Sequence, residues 1–215
     1  MDRKMKKILY IFTLTLLFSS CLKNKTVIGR VYNPLTNKGV EGIRVVLLRP
    51  KHCLGIGCGT KQIDVTTTDA NGNYALNHSD GNGHHIRFVN DNKNDFKALN
   101  SNESSLNGNT EYDYLIVSRG YSKNKITNTN CFDSEDKLNI THYYHELKQF
   151  SDNSEYDSYG SSTYDGCFDK TYNNNHTVMG WRYYEGTVTK NNITTPFIDS
   201  VYVPEGGSVV WNIEW

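Results

Sequence analysis

The chain has 215 residues, enough for one large or two small domains with a sizeable core. Hydrophobic residues make up 37% and tyrosine occurs 15 times, which favours many short strands joined by polar loops over long helices. The formal net charge is zero, but outside the first seven positions 19 basic residues face 22 acidic ones. A net charge of about −3 is too weak to attract polyanions, so no nucleic-acid partner is expected.

The first 20 residues have the order of an export signal. Basic side chains come first, and an apolar run of 13 residues, ILYIFTLTLLFSS, follows them. A membrane-spanning helix needs roughly 20 apolar residues, so the run is too short to span a bilayer. The sequence therefore predicts a cleaved leader.

The segment Phe18-Ser19-Ser20-Cys21 resembles the lipobox of bacterial lipoproteins, with Phe18 where leucine is commoner. The resemblance implies cleavage before Cys21, a diacylglyceryl group on its thiol and a further acyl chain such as palmitate on its amine. Two or more chains anchor a protein durably, whereas a single chain does not. Leu22 in place of aspartate implies the outer membrane in lipoproteins of the common Gram-negative type. The alternative is an ordinary secretory signal with an incidental cysteine.

Two strands and a hairpin are predicted in the first third of the mature chain. Apolar residues occupy every second position from Val27 to Val31 and from Ile43 to Leu47, which is the period of a half-buried strand. Further on, Asn71-Gly72 separates a Thr-rich segment from Tyr74-Ala75-Leu76. Because a tight hairpin needs residues that tolerate positive φ, this pattern predicts a hairpin between a third and a fourth strand.

Four short patterns in this region carry a resemblance to a known family. They are V-x-G-x-V from Val27, G-V-x-G-I-x-V from Gly39, T-D-A-N-G-N-Y-x-L from Thr68 and the later Arg119-Gly120-Tyr121. Together they resemble the carboxypeptidase regulatory-like domain. The resemblance implies a transthyretin-like (prealbumin-like) β-sandwich, a scaffold without chemistry of its own.

The later part of the chain predicts further strands separated by two polar intervals. The strands are expected at His85–Val89, Tyr112–Ser118, Leu138–Leu147, Met179–Thr189, Phe197–Val203 and Ser208–Trp215. The intervals 91–111 and 151–176 are rich in Asn, Ser, Asp and Gly, so we expect exposed loops there. The predicted organisation is a signal peptide at 1–21, the regulatory-like sandwich at 22–135 and a C-terminal β region at 136–215.

Four cysteines remain once Cys21 is lipidated, an even number that suits an oxidising compartment. Three pairings are formally possible. Cys53 and Cys58 flank Leu-Gly-Ile-Gly, whose glycines let the chain turn back, so their pairing is the simplest and leaves Cys131 with Cys167. The alternative is a metal site with the ligands His52, Cys53 and Cys58.

The segment His142-Tyr143-Tyr144-His145-Glu146 is the most enzyme-like cluster, because histidines and a carboxylate are good zinc ligands. Helical zinc proteases need H-E-x-x-H, whereas here the order is H-x-x-H-E within a predicted strand. In a strand His142 and Glu146 face one way and His145 the other. We therefore expect surface histidines, with a small metal-dependent hydrolase centred on these three residues as the alternative function.

All three tryptophans lie in the last 35 residues. Trp211 and Trp215 share one face of the final strand with Val209 and Ile213, which predicts a place in the core. Trp181 and Tyr183 share one face of an earlier strand, and aromatic faces commonly bind sugars and extended peptides. The opposite face of that strand carries Arg182 and Tyr184. Trp181 and Tyr183 are therefore the candidate ligand-binding residues.

The sequence as a whole predicts an all-β, lipid-anchored protein of the cell envelope, expected at the outer membrane. We expect a non-catalytic binding or assembly module without a cofactor, whose partner is an envelope protein or a glycan. Docking to an outer-membrane barrel by strand addition is a further possibility, because open sandwiches leave sheet edges available.

Overall fold

The computed structural model describes residues 24–51, 59–79, 83–91, 95–106, 111–150 and 160–215. Within these ranges the chain forms fifteen strands and one four-residue helix, so the predicted all-β class is confirmed. The strands are β1 Asn24–Asn33, β2 Lys38–Gly39, β3 Arg44–Pro50, β4 Thr60–Thr67, β5 Asn73–Ser79, β6 His85–Val89, β7 Phe96–Ala98, β8 Glu103–Ser105, β9 Tyr114–Thr127, β10 Lys137–Tyr143, β11 Gly160–Asp165, β12 Asp169–Val178, β13 Gly180–Lys190, β14 Ile193–Val203 and β15 Ser208–Glu214. The helix, α1, spans His145–Lys148.

The first half of the chain forms a β-sandwich. One layer contains β1 with β2, β5, β7 and the beginning of β9, and the other has the order β4-β3-β6-β8. The alternating apolar residues predicted for β1 and β3 point into the space between the layers. The core between the layers contains Val27, Val31, Ile43, Val45, Leu47, Tyr74, Leu76, Ile86, Phe88, Leu106, Tyr114 and Ile116.

The C-terminal strands form a second pair of layers. Here the end of β9 lies between β12 and β15, and the facing sheet has the order β11-β10-β13-β14. The buried residues between them are Ile126, Leu138, Ile140, Tyr184, Trp211, Ile213 and Trp215. The predicted core positions of Trp211 and Trp215 are confirmed.

Strand β9 links the two halves because it runs for 14 residues through both. Its first residues pair with β1 and β7, and its last residues pair with β12 and β15. Tyr114 and Ile116 accordingly pack in the first core and Ile126 in the second. The predicted boundary between residues 135 and 136 stays a prediction, and β9 shares its sheet with strands from both sides of it.

The turn predicted at Asn71-Gly72 is present, but the hairpin predicted around it is wrong. Gly72 has φ of +81°, and a Cβ there would lie 2.1 Å from the carbonyl oxygen of Val31, so glycine is required. The flanking strands do not form a ladder with each other in the described structure: β4 pairs with β3, and β5 pairs with β1. The turn therefore carries the chain from one layer of the sandwich to the other.

Both polar intervals contain more structure than the sequence predicts. The interval 91–111 includes β7, which pairs with β9, and β8, which pairs with β6, and it buries Leu99 and Leu106. The interval 151–176 includes β11 and most of β12, whose ladders bind them to β10 and β9. These strands carry few apolar residues, and ladder hydrogen bonds join them to the sheets. The two-residue apolar pattern therefore does not reveal them.

Cys131 and Cys167 form a disulfide, as the simplest pairing predicts. It joins the connection after β9 to the connection before β12. The same two connections are tied by Asn128, whose Nδ2 donates to Oδ2 of Asp136 at 3.0 Å and to the carbonyl oxygen of Gly166 at 2.9 Å. The hydrogen bond from Asn128 and a second from the backbone N–H of Phe132 lower the pKa of the Asp136 carboxyl.

Several predictions concern residues outside the described ranges. These are the leader with Cys21, and the loop with His52, Cys53 and Cys58. Among the described helical segments, none has the length and apolar character needed to traverse a bilayer.

Candidate functional site

Three neighbouring aromatic side chains on β13 and β14 form a surface that we call the aromatic platform: the exposed Trp181 and Tyr202 and the half-buried Tyr183. Trp181 lies directly opposite Tyr202 in the antiparallel ladder. The ring centroid of Trp181 is 5.6 Å from that of Tyr202 and 6.3 Å from that of Tyr183. Trp181 is 40% exposed and Tyr202 is 43% exposed, so both rings offer their surfaces to solvent.

The backbone beneath Trp181 is fixed by α1. The Oε2 atom of Glu146 accepts a hydrogen bond from the backbone N–H of Trp181 at 3.0 Å. The preceding residue, Gly180, has φ of +104°, and a Cβ at that position would approach the same carboxylate oxygen to 2.9 Å. Glycine therefore permits the close contact between β13 and α1 that orients the platform.

The sheet that carries the platform ends at β14. In the order β11-β10-β13-β14, this 11-residue strand is the outermost described strand. On the platform's side it also presents Ile198, which is 74% exposed and lies opposite Glu185. Ser200 separates Ile198 from Tyr202 on this face, so β14 adds a single exposed apolar side chain near the platform.

The strand predicted at residues 138–147 is wrong at its C-terminal end. The prediction that His142 and Glu146 share one face of a single strand is therefore wrong as well. Strand β10 stops at Tyr143, and Glu146 lies on α1, where its carboxylate bonds to Trp181. Helix replaces strand because the chain turns away from the sheet to pack Leu147 in a buried cluster with Val117 and Met179.

The predicted surface position is wrong for His142, because this residue is half-buried and faces the interior of the second sandwich. Its ring lies 4.1 Å from that of Tyr184, between centroids. Burial, with a smaller contribution from the nearby Arg182 charge, lowers the pKa of His142 to about 4. A positive neighbour opposes binding of a metal cation, and no group of three or more potential ligand residues comes together in the described ranges.

The structure therefore brings the aromatic candidates together and does not bring the histidine cluster together as a metal site in the described ranges. Trp181 and Tyr183 share a surface, as the alternation predicts, and Tyr202 joins them from the neighbouring strand. Sequence analysis missed Tyr202 because its place beside Trp181 depends on the register between β13 and β14. It also gave no role to Arg182, which is buried on the opposite face of β13.

No family model and no curated protein matches the chain. Among solved structures, the chain is similar to the Bacillus anthracis TIE protein, with 9% identity, a TM-score of 0.37 and coverage of 89% of this chain and 33% of that chain. It is also similar to a streptococcal ancillary pilin, with 12% identity, a TM-score of 0.35 and coverage of 91% and 63%. A third similar structure is GBS52, the minor pilin of Streptococcus agalactiae, with 9% identity, a TM-score of 0.33 and coverage of 88% and 94%.

The chain spans about a third of the length of the first of these proteins and 63% of the second. These similarities are too distant to carry an argument about function. What the fold establishes is the class: an all-β protein built from packed, mainly antiparallel sheets.

Proposed function

We propose that the protein is a lipid-anchored, non-catalytic binding module of the cell envelope, and that the aromatic platform contacts its ligand, a surface glycan. The exposed rings of Trp181 and Tyr202, with the half-buried ring of Tyr183 beside them, are the observation that carries the proposal. The proposed placement in the envelope rests on the leader and Cys21, and the proposal of the outer membrane rests on Leu22. The proposal that the protein belongs to the carboxypeptidase regulatory-like family rests on the sequence patterns described above.

The physical argument for a ligand starts from the cost of leaving aromatic surface in water. Each exposed ring forgoes favourable burial at about 25 cal/mol per Å² of apolar surface, so a cluster of such rings favours any partner that covers it. The rings are attached to a sheet and positioned by the Glu146 contact, so little conformational entropy is lost when a ligand stacks on them. Aromatic side chains with polar tips suit sugars, which have both apolar faces and hydroxyl groups.

Trp181→Ala is expected to weaken binding to envelope glycans at least tenfold, because it removes the central ring of the platform. Binding of the purified full-length protein in detergent would be measured on glycan arrays and by pull-down from surface extracts. The matched control is Phe132→Ala, which removes another exposed ring, 65% accessible, outside the platform. Thermal unfolding of both variants should stay close to that of the parent protein.

Unchanged binding of Trp181→Ala would contradict the role of the platform. If retention of an envelope protein were instead lost in Ile198→Lys and kept in Trp181→Ala, the function would be assembly through the β14 edge by strand addition. The metal-dependent hydrolase centred on His142, His145 and Glu146 receives no support from the position of His142 beside Arg182 or from the Glu146 contact with Trp181.

Cys21→Ala is expected to release the protein from the membrane fraction, because the proposed anchor depends on the acylated cysteine. Mass spectrometry of the wild-type mature protein should find an amino-terminal cysteine carrying fatty acid. An intact leader, or a mature terminus without acyl groups, would contradict the lipid anchor and leave the platform proposal standing.

A further inference from the structure

A polar cleft opens between the two layers of the second sandwich, on the opposite face of β13 from the aromatic platform. Its volume is about 480 Å³, within the usual range for small-molecule sites. Five strands contribute to it, namely β9, β10, β11, β12 and β13. The lining residues used below are Asn124, His142, Tyr144, Ser162, Thr177 and Arg182.

Arg182 lies at this cleft, and among the described residues no carboxylate compensates its charge. The side chain is only 6% exposed, and one guanidinium N–H group, on Nη1, donates to Oγ of Ser122 at 3.1 Å. Its Cζ atom lies 5.5 Å from the centroid of the Tyr144 ring and 5.9 Å from that of Tyr184. No carboxylate of the described ranges lies within ion-pair distance of it.

A buried guanidinium in this state is costly unless something pairs with it. Desolvation of a charge costs several kcal/mol, and the two tyrosine rings and one hydroxyl recover only part of that. A guanidinium offers five N–H donors in a fixed plane, which matches the two oxygens of a carboxylate. Arg182 is therefore suited to an anion that enters the cleft.

Two further buried polar groups line the same cleft and lack a partner in the described structure. They are Oδ1 of Asn124 and Nε2 of His142. The amide of Asn124 and the neutral ring of His142 can each present an N–H or an acceptor, because amide orientation and ring tautomer follow the hydrogen bonds available. Buried groups of this kind normally have hydrogen bonds, so their convergence on one cleft points to a bound polar molecule.

We propose that this cleft binds an acidic sugar, with the sugar carboxylate paired to Arg182 and its hydroxyl groups bonded to Asn124 and His142. Arg182 is the one permanently charged side chain among the described lining residues, so a singly charged anion balances the site. The remaining lining supplies the hydroxyl group of Ser162 and the hydroxyl groups of Tyr144 and Thr177, whose oxygen atoms lie 3.0 Å apart in a hydrogen bond. Hydroxyl groups both donate and accept, so they suit the hydroxyl groups of a pyranose. A phosphate dianion would leave one charge without a counter-charge.

This site does not depend on the aromatic platform. Alternate residues of a strand point to opposite faces, so Trp181 and Arg182 belong to different surfaces. The two proposals can fail separately.

The test is a calorimetric titration of the full-length protein in detergent with glucuronate. We expect saturable binding in the millimolar range, at least tenfold weaker in Arg182→Lys, because lysine keeps the charge and loses the bidentate geometry. Ser162→Phe, which fills the cleft from its partly exposed β11 wall, should abolish binding without removing a buried charge. The controls Arg44→Lys and Trp181→Ala should bind glucuronate like the parent.

Four results would overturn the proposal. The first is no saturable binding of glucuronate, and the second is equal binding of neutral glucose. The third is an affinity for sulfate or for acetate equal to that for glucuronate. Equal affinity for sulfate would make the cleft an unspecific anion site, and equal affinity for acetate would show that the sugar ring contributes nothing to binding. The fourth is unchanged affinity in Ser162→Phe, which also decides the matter if Arg182→Lys does not fold.

Discussion

Trp211→Ala is expected to lower the free energy of unfolding by about 4 kcal/mol, which is a large share of the stability of a typical domain. Trp211 is 4% exposed and packs against Tyr184 with 3.9 Å between ring centroids. Its Nε1–H also donates to Oδ2 of Asp199 at 2.8 Å. The substitution therefore leaves a cavity between the layers of the second sandwich and removes the hydrogen bond to Oδ2 of Asp199, whose Oδ1 still accepts from the backbone N–H of Ser200.

Urea unfolding followed by circular dichroism would measure the loss. Trp181→Ala is the matched control, because it makes the same chemical change on an exposed ring and should cost less than about 1 kcal/mol. Trp211→Phe should fall between them, since it keeps most of the apolar volume and loses the hydrogen bond to Asp199, at a cost of about 2 kcal/mol. Equal effects of the two alanine variants would show that β15 does not pack as described.

The first sandwich was predictable from sequence wherever one face of a strand is buried. Val27 and Val31 on β1 are fully buried and alternate with more exposed residues. Val45 and Leu47 on β3 are also fully buried, but there the residues of the opposite face, Val46 and Leu48, are buried as well. The period of two follows directly from the pleat, so it needs no knowledge of the partner strands. The same logic placed Trp211 in the core and Trp181 on the surface.

Strand pairing was not predictable, because it joins residues far apart in the chain. The turn at Gly72 has the chemistry of a hairpin, yet β5 crosses to pair with β1, whose residues lie some 50 positions earlier. The local turn fixes only the direction of the chain, and burial of Leu76 opposite Val27 decides which layer β5 joins. Strands β7, β8 and β11 were missed because their alternation carries few apolar side chains.

The two candidate sites also differ in how much of each could be predicted from the sequence. The pair Trp181 and Tyr183 follows from alternation along one strand, whereas Tyr202 requires the β13–β14 register. The polar cleft proposed to bind an acidic sugar forms only where five strands meet. In the sequence alone, nothing distinguishes Arg182 from other charged residues. Its significance appears only in the fold, where it is buried and no carboxylate of the described part of the chain lies within ion-pair distance.

Both sites lie near the beginning of β13, while the Cys131–Cys167 disulfide lies at the other end of the same sheet. In the ladder between β10 and β13, Lys137 at the disulfide end pairs with Thr189, and Tyr143 at the other end pairs with Tyr183. A strand rises about 3.3 Å per residue, so some 20 Å separates the two ends. The disulfide should therefore affect stability without touching either proposed binding surface.

The double variant Cys131→Ser/Cys167→Ser is expected to lose about 4 kcal/mol of unfolding free energy and to keep glucuronate and glycan binding while folded. The bridge closes a loop with a sequence separation of 36 residues, and the loss follows from the extra entropy of the uncrosslinked unfolded chain. Denaturant unfolding under non-reducing conditions measures the stability, and the binding assays described above measure the rest.

The matched control is Cys53→Ser/Cys58→Ser, whose predicted ring is far smaller and should contribute only about 2 kcal/mol on the same entropic argument. A larger loss in the control than in the Cys131 and Cys167 variant would contradict the loop-entropy account. Loss of binding in the folded Cys131 and Cys167 variant would show that the connections tied by Asn128 and Asp136 govern the position of β13 along its whole length. Retained binding with reduced stability would instead mean that the crosslink serves only to keep the second sandwich folded.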